Sequence, residues 1–243
     1  MTNFLTILKN DFNNYIKYNI LHIVIAISVI FAGAMAFVTN IDAMIFIYIT
    51  VFILPTIIFS ISIYIEKEEQ TLLPLAIAKC SSLEIILSKV TSAMLLLLIP
   101  FVLYSLVMVF VLNMTINILL FFLVYVLGSI MHIIIGLVLA LISKSTQIMS
   151  ISYIGYIVLF ALIPFFYANN LIPKVFQYIL VISPAYLSGI LFQEIYYGYA
   201  FSSTFMIIIA VILQVLYIGL LTYFVVRPYF KSYLLYAVEK NNE

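Results

Sequence analysis

Between its charged residues this chain runs for long distances with no charge at all. Such runs separate Lys17 from Asp42, Asp42 from Glu66, Lys89 from Lys144, Lys144 from Lys174, and Glu194 from Arg227. A helix needs about 20 apolar residues to cross a hydrocarbon core. The run after Lys89 holds two such lengths, with Asn113-Met114-Thr115-Ile116-Asn117 as the turn between them. This predicts an all-α integral membrane protein with six transmembrane helices, at 20–38, 44–65, 90–112, 118–142, 148–168 and 204–226. Only 8% of the 243 residues are charged, against roughly 25% in soluble domains. The net charge of +1 gives no general attraction to nucleic acid. The single cysteine, Cys80, excludes a disulfide within the chain.

An even number of spans puts both termini on one side. That side holds Lys9, Lys17, Lys67, Lys79, Lys89, Lys144, Arg227, Lys231 and Lys240, and the other holds only Lys174. The positive-inside rule then predicts cytosolic termini in a bacterial plasma membrane. No cleavable signal peptide is expected, because the run after Lys17 is long enough to span and no small-residue cleavage site follows it.

Three segments outside the spans carry a pattern. In residues 1–18, Phe4, Leu8, Phe12 or Asp11, Tyr15 and Ile16 recur at helical spacing, with Lys9, Asn10, Asn13, Asn14 and Lys17 largely on other faces. This reads as an amphipathic helix along the membrane surface. In residues 169–203, Pro173, Pro184, Gly189 and Gly198 cut an apolar stretch into pieces too short to span. Short re-entrant outer helices are expected there, with Glu194 facing water or a second subunit. The third segment, 66–89, is a charged island. It begins Glu66-Lys67-Glu68-Glu69-Gln70-Thr71-Leu72-Leu73-Pro74-Leu75 and continues to Lys89, holding seven of the nineteen charged residues. Within it, Ser81-Ser82-Leu83-Glu84 reads as a capping box that opens the third span.

The chemistry of common enzymes is missing. No Gly-Lys dipeptide occurs, so there is no Walker A loop, and HExxH, CxxC and GxSxG are absent too. No metal site is expected. His22 sits at the inner end of the first span. His132 sits in mid-membrane and is a candidate intramembrane polar site. No span contains a carboxylate to relay protons with it, which counts against a proton-coupled secondary carrier. Gly128, His132 and Gly136 recur every four residues, a face suited to close helix packing. Pro55, Pro100 and Pro164 are expected to kink their helices. The nineteen tyrosines and twenty phenylalanines divide between interfacial belts and a greasy path for an amphipathic substrate.

The run from Glu66 to Leu75, followed by Ser82-Leu83-Glu84-Ile85-Ile86-Leu87-Ser88-Lys89, resembles the signature of ABC-2 type exporter permeases. Gln70 stands where that family commonly has glycine, and Cys80-Ser81 where a proline-containing turn is usual. The resemblance extends to the layout of an N-terminal helix, six spans and a broken outer segment. It implies a single permease domain over 1–243, with 1–18 as the connecting helix, 66–89 as the cytosolic loop and a coupling helix within it. It implies that Glu66, Glu68, Glu69, Thr71, Leu72 and Leu75 contact a separate ATPase dimer, that ATP and Mg bind to that partner alone, and that a second permease chain pairs with this one as a homo- or heterodimer. Small family members of this kind resemble drug, bacteriocin-immunity and peptide exporters, including staphylococcal exporters of phenol-soluble modulins. The expected cargo is an amphipathic peptide or a lipophilic drug.

Overall fold

The computed structural model describes residues 2–38, 43–71, 80–168, 171–197 and 204–232. Six helices among them are long and apolar enough to cross a membrane. The chain opens with α1 (Thr2–Lys17) and turns at Asn19, whose φ of 58° is left-handed. It then forms α2 (Ile20–Phe37), α3 (Ala43–Glu68), α4 (Ser82–Leu106), α5 (Ile118–Ile142), α6 (Thr146–Ile157) and α7 (Ile163–Ala168). After a 3-10 turn at Lys174–Phe176 come α8 (Gln177–Leu180), α9 (Pro184–Tyr197) and α10 (Thr204–Leu220). The spans are α2, α3, α4, α5, the α6–α7 pair and α10 with its continuation to Ser232.

Local sequence explains the helix starts. Ser81 accepts from the Glu84 N–H at 3.2 Å while the Glu84 carboxylate accepts from the Ser81 N–H at 2.9 Å, so the expected capping box forms. It starts α4 at Ser82, eight residues before the expected span, because the cap and not hydropathy sets the start. Asn117 caps α5 through the Leu120 N–H, and Ser145 caps α6 through the Ile148 N–H.

Pro55 and Pro100 lie inside α3 and α4. Pro164 follows a π-helical turn, Val158–Leu162, that joins α6 to α7. A proline lacks the N–H that would bond the carbonyl four residues back. Here that carbonyl is Phe160, and the Ser183 hydroxyl donates to it at 2.7 Å. Two further π turns, Val107–Val111 and Leu221–Val226, continue α4 and α10.

The middle of the bundle is the α3–α5 pair. Thr56 Oγ1 donates to the His132 carbonyl at 3.4 Å and Ser60 Oγ to the Gly136 carbonyl at 2.8 Å. These hydroxyls join the two backbones where glycine allows contact. The described part of the outer segment holds two short helices of unequal length. It is one turn of α8 followed by a 14-residue α9 packed on α10, α5 and α3. Glu194, expected to face water or a second subunit, is buried there, because α9 lays its Leu187–Ile190–Leu191–Glu194 face inward.

Candidate functional site at the ends of the charged loop

The two ends of the island meet. Lys89 Nζ lies 2.5 Å from Glu66 Oε2 and 2.7 Å from Asp11 Oδ1, and all three side chains are only 2% exposed. Asn14 Nδ2 donates to Glu66 Oε1 at 3.2 Å, and Ser92 Oγ donates to Asp11 Oδ2 at 3.3 Å. Tyr15 and Ser92 share a hydrogen bond of 3.1 Å. One buried ammonium therefore serves two carboxylates, and a neutral donor bonds the second oxygen of each. Burial raises the Asp11 carboxyl above its ordinary pKa, against the pull of Lys89 in the other direction. The cluster fastens α1 to the last turn of α3 and the second turn of α4.

This changes the reading of α1. The inward face carries Ile7, Asp11, Asn14 and Tyr15, while Phe4, Leu8 and Phe12 are half-buried and Ile16 is exposed. The expected apolar stripe exists, but the docked face is one step around the helix. Asp11 and Asn14 take it there because the ends of α3 and α4 offer buried charge. Spacing within α1 cannot reveal this, since the partners lie 78 and 52 residues away.

The other charges of the motif also reach across the molecule. Lys67 Nζ donates to the Ser143 carbonyl at 2.7 Å and the Leu141 carbonyl at 3.4 Å, at the C-terminal end of α5. A lysine there satisfies carbonyls that the helix leaves open. Glu69 pairs with Lys17 at 2.9 Å and also accepts from the Tyr18 hydroxyl. That hydroxyl and Lys17, both at the α1–α2 turn, hold the Glu69 carboxyl below its ordinary pKa. Glu68 is exposed and hydrogen-bonded to Tyr64. Each acid or base of Glu66-Lys67-Glu68-Glu69 thus has an intramolecular partner.

Gln70 has a φ of 56°, in the left-handed region. The Thr71 N–H bonds the Glu66 carbonyl at 3.0 Å, closing a Schellman motif at the end of α3. Glycine holds this conformation without the strain of a Cβ, which explains its frequency in motifs of this form. Gln70→Gly is expected to raise stability by about 1 kcal/mol, read as a higher apparent melting temperature in nanodiscs. No increase would mean that the left-handed turn is not a strained one.

Of the six expected coupling residues, Glu66 is buried, Glu68 and Glu69 are exposed, and Thr71 is half-buried with its hydroxyl on the Glu66 carbonyl at 3.3 Å. Leu72 and Leu75 lie outside the described residues, as does most of the expected coupling helix. His132 lies far from this site in the chain and on another element, fully buried in α5. Among the described residues no group of three or more His, Cys, Asp or Glu could hold a metal ion.

A family model described as ABC-2 type transporter matches residues 2–197. The match covers α1, the island and α9. No curated protein and no solved structure matches the chain.

Proposed function

The chain belongs to the ABC-2 type transporter family, and we propose that it is the membrane half of an ATP-driven exporter in which the charged loop grips a separate ATPase. It is a transport permease, not itself catalytic, and the family implies an ATPase partner and pairing of permeases in the membrane. ATP and Mg bind to the ATPase dimer in this reading. Two permease chains flank the path, both termini lie in the cytosol of a bacterium, and the cargo leaves the cell. An amphipathic peptide, of which phenol-soluble modulins are one kind, or a lipophilic drug suits spans that carry so many aromatic rings and so little charge.

The observation that supports this most is the hub of buried charge at the ends of the loop. A loop that receives force must be fixed to the elements it is to move. Glu66 with Lys89 ties its two ends together, Asp11 adds the N-terminal helix, and Lys67 adds α5. Glu66 in this reading is a positioning residue, and Glu68, Glu69, Thr71, Leu72 and Leu75 are the candidates for contact with the ATPase.

The test is co-expression with a candidate ATPase subunit that carries Walker motifs. A tagged permease should retain that ATPase through purification, and the complex should hydrolyse ATP. Replacing Leu72 and Leu75 together by aspartate should release the ATPase while the permease keeps its melting temperature. Retention of the ATPase at the wild-type level would remove the loop from the interface.

A further inference from the structure

A second group of polar atoms lies within the spans, away from the hub. Phe52 of α3 stacks on Tyr48 with ring centroids 6.0 Å apart and on Tyr156 of α6 at 5.3 Å. Tyr156 continues the row to Phe160 at 5.3 Å. The His132 ring meets Phe52 edge-on at 5.0 Å. His132 Nδ1 lies 2.7 Å from the Gly128 carbonyl, so that nitrogen carries the proton, and in a neutral imidazole Nε2 is then an acceptor. Nε2 is enclosed and has no hydrogen-bond partner among the described residues. The same holds for the hydroxyls of Tyr48, Tyr153 and Tyr156.

Three enclosed polar atoms without partners in one aromatic cluster, with a fourth on Tyr153 one turn before Tyr156, are costly in a membrane, where each buried polar group normally finds a hydrogen bond. Packing alone does not require them, because phenylalanine fills the same space. The surrounding backbone is also unusual. The π turn Val158–Leu162 begins two residues after Tyr156, and Leu221 of the π turn Leu221–Val226 packs against the cluster. Such turns widen a helix and often mark functional places. Tyr48 rests against Gly189 of α9, where a Cβ would come within 3.3 Å of its ring.

The geometry points to a binding site between α3, α5 and α6 for an N–H-bearing group on an apolar molecule. The rings lie stacked on one another in this structure, so the apolar body enters by parting them, and their faces favour a positive charge. His132 Nε2 and the tyrosine oxygens accept from the donor. The transport reading is needed only for the idea that the occupant is cargo.

The probe is rhodamine 6G, a lipophilic cation with N–H donors, titrated by fluorescence anisotropy onto the purified chain in nanodiscs. The ethyl ester of rhodamine B has the same ring system without N–H donors. Rhodamine 6G should bind more tightly than that ester and more tightly than to empty nanodiscs. Tyr156→Phe, and separately Tyr48→Phe with Tyr153→Phe, should weaken rhodamine 6G about threefold to tenfold, the worth of a lost hydrogen bond. They should leave the ester unaffected and leave the melting temperature equal or higher, because an unpartnered hydroxyl has been removed. Equal binding of the two dyes, binding no better than to empty nanodiscs, or wild-type affinity in the phenylalanine variants would each overturn the site and leave these groups to water. A fall in melting temperature would assign the hydroxyls to structure and overturn it too. The ATPase is absent from this experiment, so its outcome is independent of the pull-down on the loop.

Discussion

Replacing Lys89 by methionine is expected to destabilise the fold by about 3–5 kcal/mol, the cost of removing one partner from a buried ion cluster. The methionine keeps most of the volume of the lysine. It leaves the carboxylates of Asp11 and Glu66, both 2% exposed, with no ammonium between them. Protonation of the carboxyls relieves part of the cost, so the loss should be smaller in acid than at neutral pH. The triple variant Asp11→Asn, Glu66→Gln, Lys89→Met should recover most of the stability, because neutral amides make hydrogen bonds without a charge to bury. The measurement is unfolding in nanodiscs followed by helical circular dichroism, with yield after solubilisation as a second reading. A single variant as stable as the wild type would show that the three side chains are not enclosed together.

The next largest effect is expected in the middle of the bundle. A Cβ on Gly136 would lie 2.8 Å from the Thr56 carbonyl, 3.2 Å from the Pro55 carbonyl and 3.2 Å from Ser60 Oγ. Backbone atoms cannot rotate away, so α3 and α5 must separate. The Ser60 to Gly136 hydrogen bond of 2.8 Å is then lost as well. Gly136→Ala is expected to cost about 1–3 kcal/mol as an overpacked contact, and Gly136→Leu more. Gly155 and Gly33 are the controls, since a Cβ there meets nothing within 4 Å. Alanine at either should gain up to about 1 kcal/mol from helix propensity. Apparent melting temperatures of the variants in one nanodisc preparation decide it. A Gly136→Ala variant that melts with the Gly155→Ala variant would refute the close approach.

The two experiments address different levels of the same sequence. Gly128, His132 and Gly136 were readable as a packing face from their spacing alone, and the partner helix could have been any of the others. The capping box at Ser81 and Glu84 was readable in full, because both partners lie within four residues. The charged island was readable as a concentration of charge, but the pairing of its charges was not. Its acids look like free contacts in the sequence, yet Glu66 is turned inward and Lys67 holds the carbonyls at the end of α5. Asp11 was readable only as an alternative to Phe12 on a face that ran through Phe4, Leu8, Tyr15 and Ile16, and Asn14 fell on another face, so neither pointed to an ion pair.

Composition and the spacing of charge set the solvent, the number of spans and most of their ends. Lipid supplies no hydrogen bonds to the backbone, so uncharged runs of sufficient length have only the helix available to them. Local sequence set the turns too, where Asn117, Ser145 and Ser81 bond to N–H groups three residues on. Tertiary structure alone decided which face of α1 docks and what Lys89 neutralises. A lysine and two acids separated by up to 78 residues become one cluster only when three helix ends converge. Burial then makes each charge depend on the others, an energy that no local pattern contains.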